Sequence, residues 1–385
     1  MNFAFDEEQE MLRDSVRKFL ERRSPEQEVR RLMDTDDGFD PAVWDQMANQ
    51  LGLQGLVIPE EFGGSGFTFI ELGVVLEEMG RTLLCSPFFS TVVLAAHLIL
   101  ALDDEQAKKD YLPQIASGGT RTTVAVTEDD GLWHAAGVRL EASQSGDDWT
   151  LTGTKNYVPD GASAELILVA ARTPVGISVF AVDADASGLV RENLPTMDMT
   201  RKQGKLTFTA TPARRLGNGD DAWPAIQRVL YLAAVGLAAE QVGGAQRALE
   251  MAVDYAKTRE QFGRPIGSFQ AIKHKCATML VEVESMKSAA YYGLWAASSS
   301  PEQLPVVASV AKVFCSDAYA FVTGENIQIH GGIGFTWEHP AHLYFKRARS
   351  SKVLLGPPDY FRDLLASQFG LMPGQAKGLE IEGTT

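Results

Sequence analysis

Two stretches of the chain carry residues suited to holding a nucleotide. In TREQFGRPIGSFQ, residues 258–270, Arg259 offers a planar guanidinium that grips phosphate through paired hydrogen bonds. Phe262 adds a flat face, and Gln270 a side chain that both donates and accepts. Gly263, Pro265 and Gly267 force a tight turn between two helices. In QIHGGIGFT, residues 328–336, Gly331, Gly332 and Gly334 let the backbone approach a ligand closely and turn free N–H groups toward an anion. Each stretch alone is equally consistent with something plainer: a helix-to-helix turn with a surface arginine, and a glycine-rich helix cap.

Acid–base chemistry has fewer candidates. Glu240 lies in the apolar run GLAAEQVGG. Burial there raises a carboxyl pKa, which suits a proton acceptor for a weak carbon acid. The simpler alternative is a glutamate paired with an arginine. His330 and His134 are the histidines placed to act as bases; the plainer role for His330 is structural, at an interface. Lys346, Arg347 and Arg349 read as a solvated or interface helix end. Glu382, in IEGTT near the C-terminus, reads as a chance string. Cys85, Cys276 and Cys315 are far apart and lack metal-ligand spacing, so buried thiols in a reducing cytoplasm are expected and no metal site.

The 385 residues suffice for a large core in several layers, and 45% apolar with 22% charged is ordinary globular composition. A net charge of −15 repels phosphate backbones and argues against nucleic acid. The opening MNFAFDEEQE lacks the order of a signal peptide, and the best apolar run, VLYLAAVGLAAEQVGGAQ, is interrupted by Gly236, Glu240 and Gln241, so no membrane span is expected and the cytoplasm is the expected compartment. Residues 1–118 read as a helical domain: FDEEQEMLRDSVRKFLERR puts Met11, Leu12, Val16, Phe19 and Leu20 at helical spacing behind an Asp6–Gln9 capping box. Residues 119–215 change to short β-branched and aromatic runs between turn clusters, a small antiparallel β domain. Residues 216–372 return to long apolar helices, a four-helix bundle, and 373–385 read as a flexible tail. The expected fold is mixed α and β, mostly helical, with crevices where the β domain meets the bundle.

With REQFGRPIGSFQ and QIHGGIG in this order, and VAVTE and LTGTKNYV matching more loosely, the chain resembles an acyl-CoA dehydrogenase over about residues 1–370. The resemblance implies that family's three-domain fold and its FAD chemistry on an acyl-CoA thioester: a glutamate removes the α-proton and the β-hydrogen leaves as hydride to the flavin. It also implies that the ADP half of an FAD crosses a dimer interface to Arg259, Phe262, Gln270, Gln328, Gly331 and Gly332, with Thr127 and Tyr157 on the flavin side.

The chain departs from the family where the chemistry is done. Leu355 falls where most members have the glutamate, and Pro357 where they have threonine. The alternative base position, on the long helix, holds Ala233. The flavin motifs read TEDDGLWH and KNYVPDG, so Leu132, Trp133 and His134 replace Gly-Ser-Asp, Tyr157 replaces tryptophan, and Pro159 lacks the N–H its position calls for. The nucleotide grip is kept while base and flavin-ring contacts are lost. That asymmetry, with the ending GPPDYFRDLLA, resembles the base-lacking subunit of the α2β2 dehydrogenases of steroid-degrading bacteria. It implies a second dehydrogenase-like chain that supplies the glutamate, a bulky acyl-CoA substrate such as a steroid side-chain thioester, and an electron-transfer flavoprotein as acceptor. Two other readings stand beside it: an independent dehydrogenase with Glu240 as base, and a non-redox CoA-binding or scaffold protein.

Overall fold

The computed structural model describes residues 5–371. The expected tail at 373–385, with Glu382, lies outside the described residues.

The chain opens in helices. Helix α1 (Glu7–Arg23) starts on a reciprocal cap: Asp6 accepts from the Gln9 N–H at 2.8 Å, and the Gln9 side chain accepts from the Asp6 N–H at 3.1 Å. Val16, Phe19 and Leu20 face the core, but Met11, expected beside them, is 62% exposed. At 3.6 residues per turn it sits about a third of a turn away from the mean of the other four. Helices α2 (Glu26–Met33) and α3 (Pro41–Asn49) precede α4 (Phe69–Arg81), where Thr68 and Glu71 repeat the reciprocal cap. A wide-turned run from Phe89 to Ala96 continues into α5 (His97–Ala101), and α6 (Glu105–Ala116) follows.

Seven strands come next: β1 (Thr122–Ala125), β2 (Glu141–Ser145), β3 (Asp148–Pro159), β4 (Leu166–Arg172), β5 (Ile177–Asp183), β6 (Leu189–Asn193) and β7 (Gln203–Leu216). Six of them pair in the order β1-β4-β2-β3-β7-β5, β6 pairs β7 off this path, and β4 also pairs β5, which curls the sheet into a barrel. Most ladders are antiparallel as expected, but β1 runs parallel to β4, and β2 touches β4 in parallel at Glu141 and Arg172. The β2–β3 hairpin intervenes between β1 and β4, and that long crossover permits the parallel pairing. Leu151, Val169, Phe180, Leu206 and Phe208 fill the interior.

The bundle comprises α7 (Trp223–Thr258), α8 (Gln270–Ser299), α9 (Leu304–His330), α10 (Ala341–Val353) and α11 (Pro358–Gln368), with a small hairpin, β8 (Glu260–Gln261) and β9 (Arg264–Pro265), between α7 and α8. Helix α7 also packs on α4, and there the backbones touch. A Cβ at Gly80 would lie 1.9 Å from the Glu240 carbonyl oxygen, and one at Gly243 1.8 Å from that of Glu77. Only glycine permits this approach. The AEQVGG interruption is therefore a helix–helix contact. Among the described residues one stretch, Leu304–Phe335, is long and apolar enough to cross a membrane, and 67% of its apolar window is buried within the fold, as befits a bundle core.

Candidate nucleotide grip and acyl cleft

Helix α7 ends at Arg259, whose N–H donates to the Tyr255 carbonyl at 2.8 Å, and the chain doubles back through β8 and β9. Phe262 (φ 55°) and Gly263 (φ 75°) both take left-handed backbone, as a two-residue hairpin turn requires. That conformation is strained for phenylalanine, and the ring it presents is 92% exposed. Gln270 opens α8 and Gln328 sits in the last turn of α9; both are exposed, as are Gly331 and Gly332. A Cβ at Gly332 would meet nothing within 4 Å, so no contact within the chain demands glycine there. The two motifs are neighbours. Tyr255, one turn before Arg259, stacks on His330 at 4.4 Å, and His330 lies 4.2 Å from His339. His330 is buried with Nδ1 2.8 Å from the Asn326 carbonyl, which makes it a strut between the motifs. An exposed guanidinium, a presented ring, two amides and open glycine backbone together suit the phosphates and flat base of an ADP group.

At the start of α7 the structure is closed. A cleft between barrel and bundle, walled by Leu94, Val124, Val126, Ile226 and Leu230, keeps only ≈10 Å³ because Trp133 fills it. One water needs roughly 10–15 Å³. The Tyr360 hydroxyl on α11 donates to the Trp133 carbonyl at 3.2 Å. Leu355 is 1% exposed and Ala233 fully buried, in one apolar cluster with Trp133 and Phe361. Leu355 is itself left-handed (φ 65°), and a Cβ at Gly356 would lie 2.6 Å from the Tyr360 ring, so glycine is what lets α11 fold back over the cleft. Lys312 seats this turn from below. Its ammonium donates to the last carbonyls of α10, Ser351 at 2.8 Å and Lys352 at 3.1 Å, and to the Ser316 hydroxyl at 3.2 Å. None of these partners is charged, and burial pushes Lys312 down to about 7.

The positions expected on the flavin side differ in their surroundings. The Thr127 hydroxyl donates to the Asn156 carbonyl, and Thr123 donates to the carbonyl of Pro159. Tyr157 is left-handed (φ 57°) and 43% exposed. His134 is half-buried, its ring 6.3 Å from that of Tyr360. Glu128 accepts from Lys155 at 2.8 Å and from the Arg139 and Leu140 N–H groups at 2.7 and 2.8 Å, which anchors the ends of the loop carrying Trp133.

Glu240 is engaged elsewhere. Arg201 donates to its carboxylate at 2.6 and 2.5 Å, and Arg347 at 2.9 Å. Burial pushes the Glu240 carboxyl up, but Arg201 and then Arg347 outweigh it and hold the group below the usual carboxylate range. This corrects the expected rise. Arg347, expected at a solvated or interface helix end, is 2% exposed; it also reaches Asp198 at 2.8 Å and the Thr200 hydroxyl at 2.6 Å. Asp198 and Thr200 come from the β6–β7 connection and Glu240 from α7, too far away in sequence for any local pattern to pair them. Nearby Asp160 accepts from the Ser90 hydroxyl at 2.6 Å; burial pushes it up to about 6, against the pull of Ser90, Arg201 and Arg347.

A helical domain, a barrel and a helical bundle follow one another along the chain, a three-domain order. Residues 6–119 match the acyl-CoA dehydrogenase N-terminal domain, 123–211 the middle domain and 220–369 the C-terminal domain, and the chain belongs to the acyl-CoA dehydrogenase family. It is 35% identical to acyl-CoA dehydrogenase IpdE2 of Mycolicibacterium smegmatis over 94% of this chain and 99% of that one. Among solved structures it resembles the Tcur3481-Tcur3483 steroid acyl-CoA dehydrogenase, with 34% identity, TM-score 0.85 and coverage of 94% and 98%. It also resembles the ChsE4-ChsE5 complex of Mycobacterium tuberculosis, with 28% identity, TM-score 0.88 and coverage of 97% and 100%. Members of the family are FAD-dependent.

Proposed function

We propose that this chain is the base-lacking subunit of a heteromeric acyl-CoA dehydrogenase that introduces a Cα=Cβ double bond into a bulky CoA thioester, such as a steroid side-chain thioester. One contrast carries the reading: the nucleotide grip is open to solvent, while the cleft between barrel and bundle is closed around Trp133 and Leu355 is buried hydrocarbon. The bound flavin would take up the hydrogen lost from the β-carbon. This chain's part is to hold the flavin's ADP half: Arg259 on the phosphates, Phe262 against a ring, Gln270 and Gln328 through their amides, and Gly331–Gly332 through open backbone. The proton is removed by a glutamate of a partner chain, because Leu355 and Ala233 accept none.

The printed descriptions of the solved relatives add support: one is a steroid acyl-CoA dehydrogenase with two components in its name, and another is a complex of two different chains. An independent enzyme using Glu240 is disfavoured by the two arginines that already hold that carboxylate ionised. The test is co-expression with a second dehydrogenase-like chain carrying a glutamate at a base position. The pair should purify together, yellow, and dehydrogenate an acyl-CoA, passing electrons to an electron-transfer flavoprotein. Full turnover by this chain alone would contradict the proposal.

A further inference from the structure

A second pocket shares no residue with the grip or the cleft and lies where the α1–α2 corner meets the end of α4, the last third of α7 and the start of α10. It encloses about 270 Å³. Val29, Leu83, Met251 and Leu343 line it, each at most 9% exposed. Leu83 is held in left-handed backbone (φ 51°), a strain that non-glycine residues rarely carry. The polar side is specific. Arg81 is bound in a fork to Glu250 at 2.8 and 2.6 Å, which uses that carboxylate. Arg247, also lining the pocket, reaches Glu250 at 3.5 Å and hydrogen-bonds the Tyr344 side chain, which leaves the rest of its five-donor fork for a ligand. Tyr344 is locked by donating to the Arg81 carbonyl at 2.6 Å. Of the two acids at the rim, Glu26 is paired with Arg30 at 2.7 Å and Glu21 is solvated.

The geometry points to a binding site for a small amphipathic carboxylate, with an apolar body on the Val29–Leu343 floor and its carboxylate on Arg247. A planar guanidinium with spare donors recognises a carboxylate by paired hydrogen bonds, and the apolar floor selects against fully polar anions. A compact chain of about eight carbons suits a pocket at the small end of ligand sites, roughly 300 Å³ and upward. The site shares no residue with those proposed to hold the flavin, so its test is separate from that of flavin sharing.

The test is calorimetric titration of the protein, in the assembly in which it purifies, with sodium octanoate and with octylammonium chloride. Octanoate should bind saturably at one site per copy of this chain, and octylammonium at least tenfold more weakly. Arg247→Gln, a change at a side chain 41% exposed, should weaken octanoate about tenfold or more. Met251→Phe, which fills the floor, should abolish binding; should that variant not fold, Arg247→Gln still decides. Absence of saturable octanoate binding, equal binding of the cation, or unchanged affinity in Arg247→Gln would each overturn the site.

Discussion

The Tyr360 hydroxyl donates to the Trp133 carbonyl at 3.2 Å, and this bond joins α11 to the loop that closes the cleft between barrel and bundle. A tryptophan, a left-handed leucine and a folded-back helix act together there. Restoring one catalytic residue therefore does not restore a site. Leu355→Glu should give no acyl-CoA-dependent flavin bleaching in the isolated chain, and it should lower stability by burying an unpaired carboxyl. Trp133→Ala, by emptying the cleft, should cost about 3–5 kcal/mol in urea unfolding.

Arg347 is the hub that ties α10 to α7 and to the β6–β7 connection. Arg347→Met leaves Asp198 buried without its ion pair and Glu240 with one arginine fewer. A loss of about 3–5 kcal/mol is expected by denaturant titration. Arg347→Lys should recover little of it, because one ammonium does not span Asp198, Glu240 and Thr200 as the fork does.

Asp160 favours its protonated form in the fold, with its pKa raised to about 6. Its stabilising contribution is complete below the ordinary aspartate value near 3.9 and is lost as pH rises through about 6. Asp160→Asn keeps an acceptor for Ser90 and removes the titration. The variant should equal the parent near pH 4 and exceed it at pH 8 by about 2–3 kcal/mol, read from unfolding curves at the two pH values.

Lys312 has the opposite pH dependence. Its pKa is depressed to about 7, so the unfolded chain binds the extra proton between about 7 and 10, and stability rises with pH across that window. Lys312→Met should flatten the rise by up to about 1.4 kcal/mol per pH unit. Lys155, lowered to about 8, titrates in the same range, so the difference between parent and variant is the quantity to follow.

Much of this was legible in the sequence where the signals are local. The Asp6–Gln9 cap, the switch from helical to alternating patterns, and the two glycine-bearing motifs lie within a few residues of one another, and the structure sets the motifs side by side. Leu355 and Ala233, at the positions where the resemblance expects a base, are hydrocarbon by type and buried in the fold. What escaped depends on residues distant in sequence. Nothing around Arg347 announces Asp198, nothing around Lys312 announces the end of α10, and Trp133 reads as a lost motif until the fold shows it filling the cleft. The parallel β1–β4 pair escaped for the same reason, since strand direction is set by a crossover and not by composition.

The most direct measurement is the flavin content of the assembly purified with its partner chain, with each polypeptide quantified separately. Sharing predicts fewer flavins than chains, loss of bound flavin when Arg259→Ala is made in this chain, and no flavin retained by this chain alone. One flavin per protomer in the isolated chain, bleached by an acyl-CoA, would contradict it.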